Sequence, residues 1–293
     1  MRSYKYKKVD AFTSNSSLGN PAAFLDLGSD LLSESEMLKI AKEHQGFVSE
    51  VIFCTSSENN NIKLTYYSSE CEVSFCGHGT IATMYEMILN DPLLFERGEI
   101  AIDTNQKGKL TIYNRIESED SIYITAPAAE WKTIPASVEE IASALQIGMA
   151  QISHSLPIDF IDAGLRTLIV PIGSFNDEIS IFPNESILKA FCITKEIDIV
   201  LIFCLETEGK YNIAHTRVFA PKFGYLEDPA TGSGNSAFGN YMIRNGIWQE
   251  GSVKVEQGSN RMIFNEIKLN RIGEKVLFGG KATKRIDGLY FLE

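Results

Sequence analysis

Cys76-Gly77-His78-Gly79-Thr80-Ile81-Ala82-Thr83-Met84-Tyr85-Glu86-Met87-Ile88-Leu89 decides the architecture, because the stretch has an echo. A glycine-containing loop over Cys76–Gly79 opens a helix over Thr80–Leu89. Ile81, Ala82, Met84, Tyr85 and Ile88 are residues that a helix covered on all sides can carry. Gly77 is matched by Gly232, and the end of the helix by Tyr241-Met242-Ile243, 155 to 156 positions further on. Two other pieces repeat in the same order. Ile52-Phe53-Cys54 returns as Ile202-Phe203-Cys204 after 150 positions, and Ser33-Glu34-Ser35-Glu36-Met37-Leu38 is followed after 151 by Asn184-Glu185-Ser186-Ile187-Leu188-Lys189. Ordered matches with nearly constant offsets indicate a duplicated unit.

Working outward, Val9–Phe12 reads as a strand that breaks in the turn-forming loop Ser14–Pro21, with Ala22–Leu25 as its return. Ser33 and Glu36 form a capping box opening a helix through Met37, Ile40, Ala41 and His44, which Gly46 is placed to end. Strands are expected at Glu50–Cys54, Ile62–Tyr67, Ile100–Asp103, Lys109–Tyr113 and Ser121–Thr125. A linker is expected near Pro127–Pro135, after which Ser137 and Glu140 form a second capping box for a helix to about Gln146. Each copy thus holds several strands and one principal helix. That is not the regular alternation of a doubly wound sheet. The expected class is α+β, with a barrel-like curved sheet around a central helix in each of two modules. Their expected limits are 1–126 and 127–293, with the last strand a candidate to return to the first module.

The 293 residues suit two domains, and 44% hydrophobic with 22% charged residues is an ordinary globular balance. A net charge of −11 repels phosphate, so neither nucleic acid nor an anionic membrane is an expected partner. The basic start Met1–Lys8 leads into a strand rather than an apolar h-region, so no secretory signal is expected. No window is long enough to span a bilayer. Five cysteines (Cys54, Cys71, Cys76, Cys192, Cys204) are an odd number in a chain too large to need staples, which points to reduced thiols in a cytoplasmic protein.

Two loops carry the candidate chemistry, Cys76–Thr80 and Glu227-Asp228-Pro229-Ala230-Thr231-Gly232-Ser233-Gly234-Asn235. Each enters a helix through glycine, and helix N-termini favour anions such as a carboxylate. With the modules related by a pseudo-twofold axis, the two helix ends would face one cleft. The spacing Gly232-Ser233-Gly234-Asn235-Ser236-Ala237-Phe238-Gly239 is not GxGxxG, and no Walker lysine follows. Cys71, Cys76 and His78 lack a usual zinc spacing and a second ligand pair, so no metal is expected. A Ser233–His78–Asp228 triad stays open, although no nucleophile-elbow GxSxG is present.

Val9-Asp10-Ala11-Phe12, Gly19-Asn20-Pro21-Ala22-Ala23, Ser49-Glu50, Glu72–Ala82, Glu227–Ser233, Val255-Glu256-Gln257-Gly258 and Gly279-Gly280-Lys281-Ala282 together resemble the PhzF family over essentially the whole chain. The resemblance implies a diaminopimelate-epimerase-like fold, a homodimer, no cofactor and an active site between the modules. It implies Glu50 as the catalytic acid/base, with His78 and Asp228 as catalytic partners. It also implies Gly77, Gly232, Ser233 and, nearby, Asn20 as substrate-binding residues.

The implied role is chemically reasonable, because one carboxyl group can remove a proton from one carbon and return it to another. Phe47-Val48 and Val51-Ile52-Phe53 predict apolar surroundings for Glu50, which would penalise its charged form. Val200 stands at the matching position of the second copy, so the cradle is symmetric and the acid/base is not. Related epimerases use two opposed thiols. Cys76 lies where the first would be and Thr231 near the second, so Cys76 is expected to be a packing residue. Tyr67-Ser68-Ser69, Gly79 and Val51 depart from residues common in the family, which bears on the substrate more than on the reaction. The expected activity is a proton-transfer isomerase on a small carboxylated molecule. An amino- or hydroxy-acid epimerase or racemase, and a non-catalytic binding protein of the same fold, are the alternatives.

Overall fold

The computed structural model describes residues 1–56 and 61–293. They form two compact units, one of residues 1–125 with 279–293 and the other of residues 126–278.

The first unit contains β1 (Arg2–Ala11), β2 (Asn20–Gly28), β3 (Glu50–Ser56), β4 (Ile62–Ser68), β5 (Glu72–Val73), β6 (Glu99–Thr104), β7 (Gly108–Arg115) and β8 (Ser121–Thr125). Its helices are α1 (Glu34–Glu43), α2 (Gly77–Asn90) and the single turns α3 (Pro92–Phe95) and α4 (Ile116–Glu119). The second unit contains β9 (Glu130–Lys132), β10 (Asp159–Asp162), β11 (Arg166–Pro171), β12 (Ile199–Cys204), β13 (Ala214–Phe219), β14 (Glu227–Asp228), β15 (Val253–Gln257) and β16 (Asn265–Ile272). Its helices are α5 (Val138–Leu145), α6 (Phe175–Ser180), α7 (Glu185–Thr194) and α8 (Gly232–Arg244). β17 (Lys275–Gly280) follows, and β18 (Ala282–Leu292) lies back in the first unit.

The repeat read from sequence is repeated in the pairing. β2 runs parallel to β3, β3 antiparallel to β4, β4 antiparallel to β5 and parallel to β6. In the same order, β11 is parallel to β12, β12 antiparallel to β13, and β13 antiparallel to β14 and parallel to β15. A long helix follows the two-residue strand in each case, α2 after β5 and α8 after β14.

Strand periodicity distributes the cores, since alternate side chains point to opposite faces. Val51 and Phe53 pack on one face of β3 with Ile40 and Ala41 of α1. On the other face, Ile52 approaches Gly79 and the Cys54 thiol lies 3.5 Å from the Met87 sulfur, both on α2. In β12, Val200 and Ile202 join Ile141, Leu145, Leu188 and Cys192 of α5 and α7, while the Phe203 ring meets Phe238 of α8 at 4.6 Å between centroids. Both faces are therefore covered, which explains the continuous apolar runs.

α2 packs against β1, β2, β3, β8 and β18, and α8 against β10, β11, β12 and β16. Burial of Ile81, Ala82, Met84, Tyr85 and Ile88 follows from that enclosure. Glu86 on α2 is also buried, and Lys7 of β1 (2.7 Å) and Lys284 of β18 (3.1 Å) neutralise it. Both capping boxes form, Ser33 with Glu36 and Ser137 with Glu140. α2 begins at Gly77, three residues before the expected Thr80, because the Cys76 sulfur accepts the Gly79 N–H and caps an earlier turn. Among the described residues, no helix is long and apolar enough to cross a membrane.

Candidate active site

Glu50 opens β3 on the same face as Ile52 and Cys54, the face that meets α2. Cys76 is the N-cap of α2, and Gly77 and His78 are its first two residues. This brings three proton-carrying side chains together. Glu50 Oε2 lies 3.3 Å from His78 Nε2 and 3.6 Å from Cys76 Sγ. Cys76 Sγ is 3.5 Å from His78 Nδ1 and 3.8 Å from Nε2. The Glu50 and His78 side chains retain 20% and 14% of their exposure, so solvent reaches them.

The cluster is held from behind. The Thr80 hydroxyl donates to the Cys76 carbonyl at 2.7 Å and shares a 2.8 Å hydrogen bond with the buried Tyr66 hydroxyl. A Cβ at Gly79 would lie 2.6 Å from Ile52 Cδ1 and 2.9 Å from Cys76 Sγ, so glycine there lets the loop close on β3.

Burial pushes the Cys76 thiol up from its ordinary value, and the nearby Glu50 carboxylate adds to this against a smaller opposing effect of His78. Burial disfavours the His78 imidazolium, but the Cys76 sulfur and the Glu50 carboxylate outweigh it and hold His78 well above the ordinary histidine value. Two expectations need correction. Apolar neighbours surround the backbone of Glu50, but its carboxylate faces polar groups, because β3 turns it toward the helix entrance. Cys76 is buried, yet its sulfur touches Glu50, His78 and the Gly79 N–H rather than only filling space.

The second unit gathers Asp228, Gly232 and Ser233 around the start of α8. The Thr231 hydroxyl donates to Asp228 Oδ2, and the Thr231 N–H donates to Gln257 Oε1 at 3.0 Å. Gln257 Nε2 donates to the Asp228 carbonyl at 2.8 Å, and Asn235 Nδ2 donates to Gln257 Oε1 at 2.8 Å. Gly232 sits against the Phe278 ring, where a Cβ would lie 2.3 Å from a ring carbon. Ser233 is the second residue of α8, whose N-cap Thr231 makes no side-chain capping bond. Asn20 starts β2 in the first unit, buried and opposite Ala11. The Thr231–Gln257–Asn235 network was not singled out from sequence. Thr231 and Asn235 stand in the second loop and Gln257 in the motif Val255–Gly258, 26 positions from Thr231, but no local spacing joins them.

A sequence model of the family described as phenazine biosynthesis-like protein (PhzC-PhzF) matches residues 9–288. The uncharacterized isomerase YfhB of Bacillus subtilis is 30% identical over 282 residues, covering 94% of each chain. The uncharacterized isomerase YddE of Escherichia coli K12 is 30% identical over 247 residues, 82% of this chain and 79% of its own. The crystal structure of a Bacillus anthracis phenazine biosynthesis protein of the PhzF family superposes with a TM-score of 0.87 at 27% identity, covering both chains completely. A hydroxyproline epimerase from Agrobacterium vitis superposes with a TM-score of 0.62 at 11% identity over 99% of this chain and 91% of its own, a likeness of fold. The α+β class and the epimerase-like fold follow from these likenesses together.

Proposed function

The chain belongs to the phenazine biosynthesis-like PhzF family, its relatives YfhB and YddE are named isomerases, and from that premise we propose that it isomerises a small carboxylated molecule by proton transfer through Glu50. The observation that carries this reading is the contact of one carboxylate oxygen with both His78 Nε2 and Cys76 Sγ at the entrance of α2.

In the proposed reaction, Glu50 takes a proton from a carbon next to the substrate carboxylate. The electron pair left behind moves into the adjacent π-system, and Glu50 returns the proton at a second carbon. His78 donates toward the charge that develops during the transfer. The positive end of the α2 dipole, at Gly77 and His78, favours the substrate carboxylate. Asp228, with Gly232 and Ser233, is proposed to form a polar loop at the start of α8 in the second unit that is likewise suited to a carboxylate. A two-thiol mechanism has less support, since Thr231 stands at the counterpart of Cys76 and donates its hydroxyl to Asp228.

The test is solvent deuterium uptake by candidate carboxylic acids, first selected by ligand-detected screening. Wild-type protein should label a bound acid, and Glu50→Gln should slow labelling by about 10²-fold or more. Uptake at an undiminished rate in the variant would sink the role given to Glu50. A ligand that binds without exchanging any carbon-bound proton would favour a binding protein instead.

A further inference from the structure

We infer that Glu178 and His215 form a buried clasp holding one proton, which makes the seating of α6, and the brace from α6 to the Asp228 loop, dependent on pH. Neither residue belongs to the cluster around Glu50.

Glu178 lies on α6 and His215 on β13, with Oε2 3.0 Å from Nδ1 and both side chains fully shielded from solvent. The rings of Phe175 and Phe264 enclose the imidazole at 5.0 and 4.6 Å between centroids, and its Nε2 has no hydrogen-bond partner among the described residues. The ionisable groups packed around the pair are already engaged. The Cys204 thiol of β12, opposite His215, donates to the Glu206 carbonyl at 3.1 Å, while Glu206 Oε2 accepts the Phe175 N–H at 2.9 Å. Glu256, beside His215 on β15, accepts from the N–H groups of Glu208 and Gly209 and from Asn212 Nδ2. Asp177 accepts from the Ser174 hydroxyl and from Gln151 Nε2. Arg217 of β13 pairs through Nε and Nη2 with Glu227 at 2.9 Å each, and Arg261 lies over the Phe182 ring.

Glu178 and His215 therefore have to balance each other. A buried site opposes net charge, so the pair is favoured with one proton between them, as carboxylate and imidazolium or as carboxyl and imidazole. Burial pushes the Glu178 carboxyl up, against an opposing effect of His215. When α6 opens, the two groups titrate in water near about 4.3 and about 6.5. Above about 6.5 the open state has lost both protons while the closed pair keeps one, so closure weakens as the pH rises. Below about 4.3 the open state binds two protons and the closed pair one, so closure weakens as the pH falls.

Arg217 carries the state of α6 onward. Its Nη1 donates to the Glu178 carbonyl at 2.8 Å and to the Ile181 carbonyl, while its other nitrogens hold Glu227, the residue before Asp228. Opening of α6 takes two acceptors from this buried guanidinium. The bearing on catalysis rests on the function proposed above, whereas the clasp does not.

The experiment is hydrogen exchange of the full chain between pH 3 and 9. Protection is taken relative to the double variant Glu178→Leu/His215→Phe, which keeps the other titrating groups. For residues 177–181 the ratio should be level between about pH 4.3 and 6.5 and fall by up to about tenfold per pH unit on either side. In Glu178→Gln the closed imidazole is neutral and only the open state takes up a proton. There the alkaline decline should vanish and the acid decline should begin near about pH 6.5. A wild-type ratio that does not change with pH, or an alkaline decline that persists in Glu178→Gln, overturns the clasp. Residues 227–235 should lose protection together with α6, and unchanged protection there overturns the brace. No substrate enters the measurement, so its outcome is separate from that of the deuterium-uptake test of Glu50.

Discussion

At the residue scale, Gly79 shows how the candidate site and the core constrain one another. Ile52 Cδ1 and Cys76 Sγ fill the volume that a Cβ at this position would take. Alanine would gain up to about 1 kcal/mol of helix propensity, while overpacking costs about 1–3 kcal/mol. Gly79→Ala should therefore lose up to about 2 kcal/mol in chemical denaturation. In the double variant with Ile52→Val, which alone costs about 0.5–1.5 kcal/mol, part of that loss should return. Strict additivity of the two changes would show that the methyl group finds room elsewhere. The same residue explains a limit of sequence reading. Glu50 and His78 were visible as motif residues, but the polar contacts of Cys76 depend on β3 arriving from 26 positions away, and no local pattern records that approach.

At the element scale, strand starts are tied by charges that sequence periodicity does not reveal. Asp198 precedes β12 and accepts from the Arg166 backbone N–H at 3.0 Å, from Arg166 Nε at 3.1 Å and from Lys222 Nζ at 2.7 Å. Burial alone would raise its carboxyl, but these bonds win and hold it at about 2. A lowered carboxyl contributes stability above its ordinary value of 3.8 and loses that contribution as the pH falls toward about 2. After a discount for solvent screening, Asp198→Asn should cost about 1–2 kcal/mol at neutral pH. The difference from wild type should shrink between pH 4 and 2 when unfolding is followed across that range. A pH-independent difference would assign the loss to packing. Capping boxes were legible because both partners lie within four residues of each other. β5 and β14, two residues each, carry no periodicity and emerge only through pairing with β4 and β13.

At the scale of the whole molecule, the duplication was legible because three pieces kept their order and spacing, while the destination of the tail depended on a pairing across nearly the full chain. β18 pairs with β1 from Arg2 opposite Leu292 to Ala11 opposite Ala282. It also brings Lys284 to the buried Glu86 and Arg285 to Asp10 at 2.8 Å. Removing residues 282–293 should lower the opening free energy of β1, β2 and α2 by at least about 2 kcal/mol in hydrogen exchange. β12, β13 and α8 should keep their protection, and an equal loss in both units would refute this assignment of the tail. The pairing also sets an order of assembly during synthesis. Residues 126–278 are contiguous and can complete their own pairings as they leave the ribosome. β1 waits for β18, which is made after that unit. Its unit closes only once residues 126–278 have been made, so the half that carries Glu50 is the later one to mature.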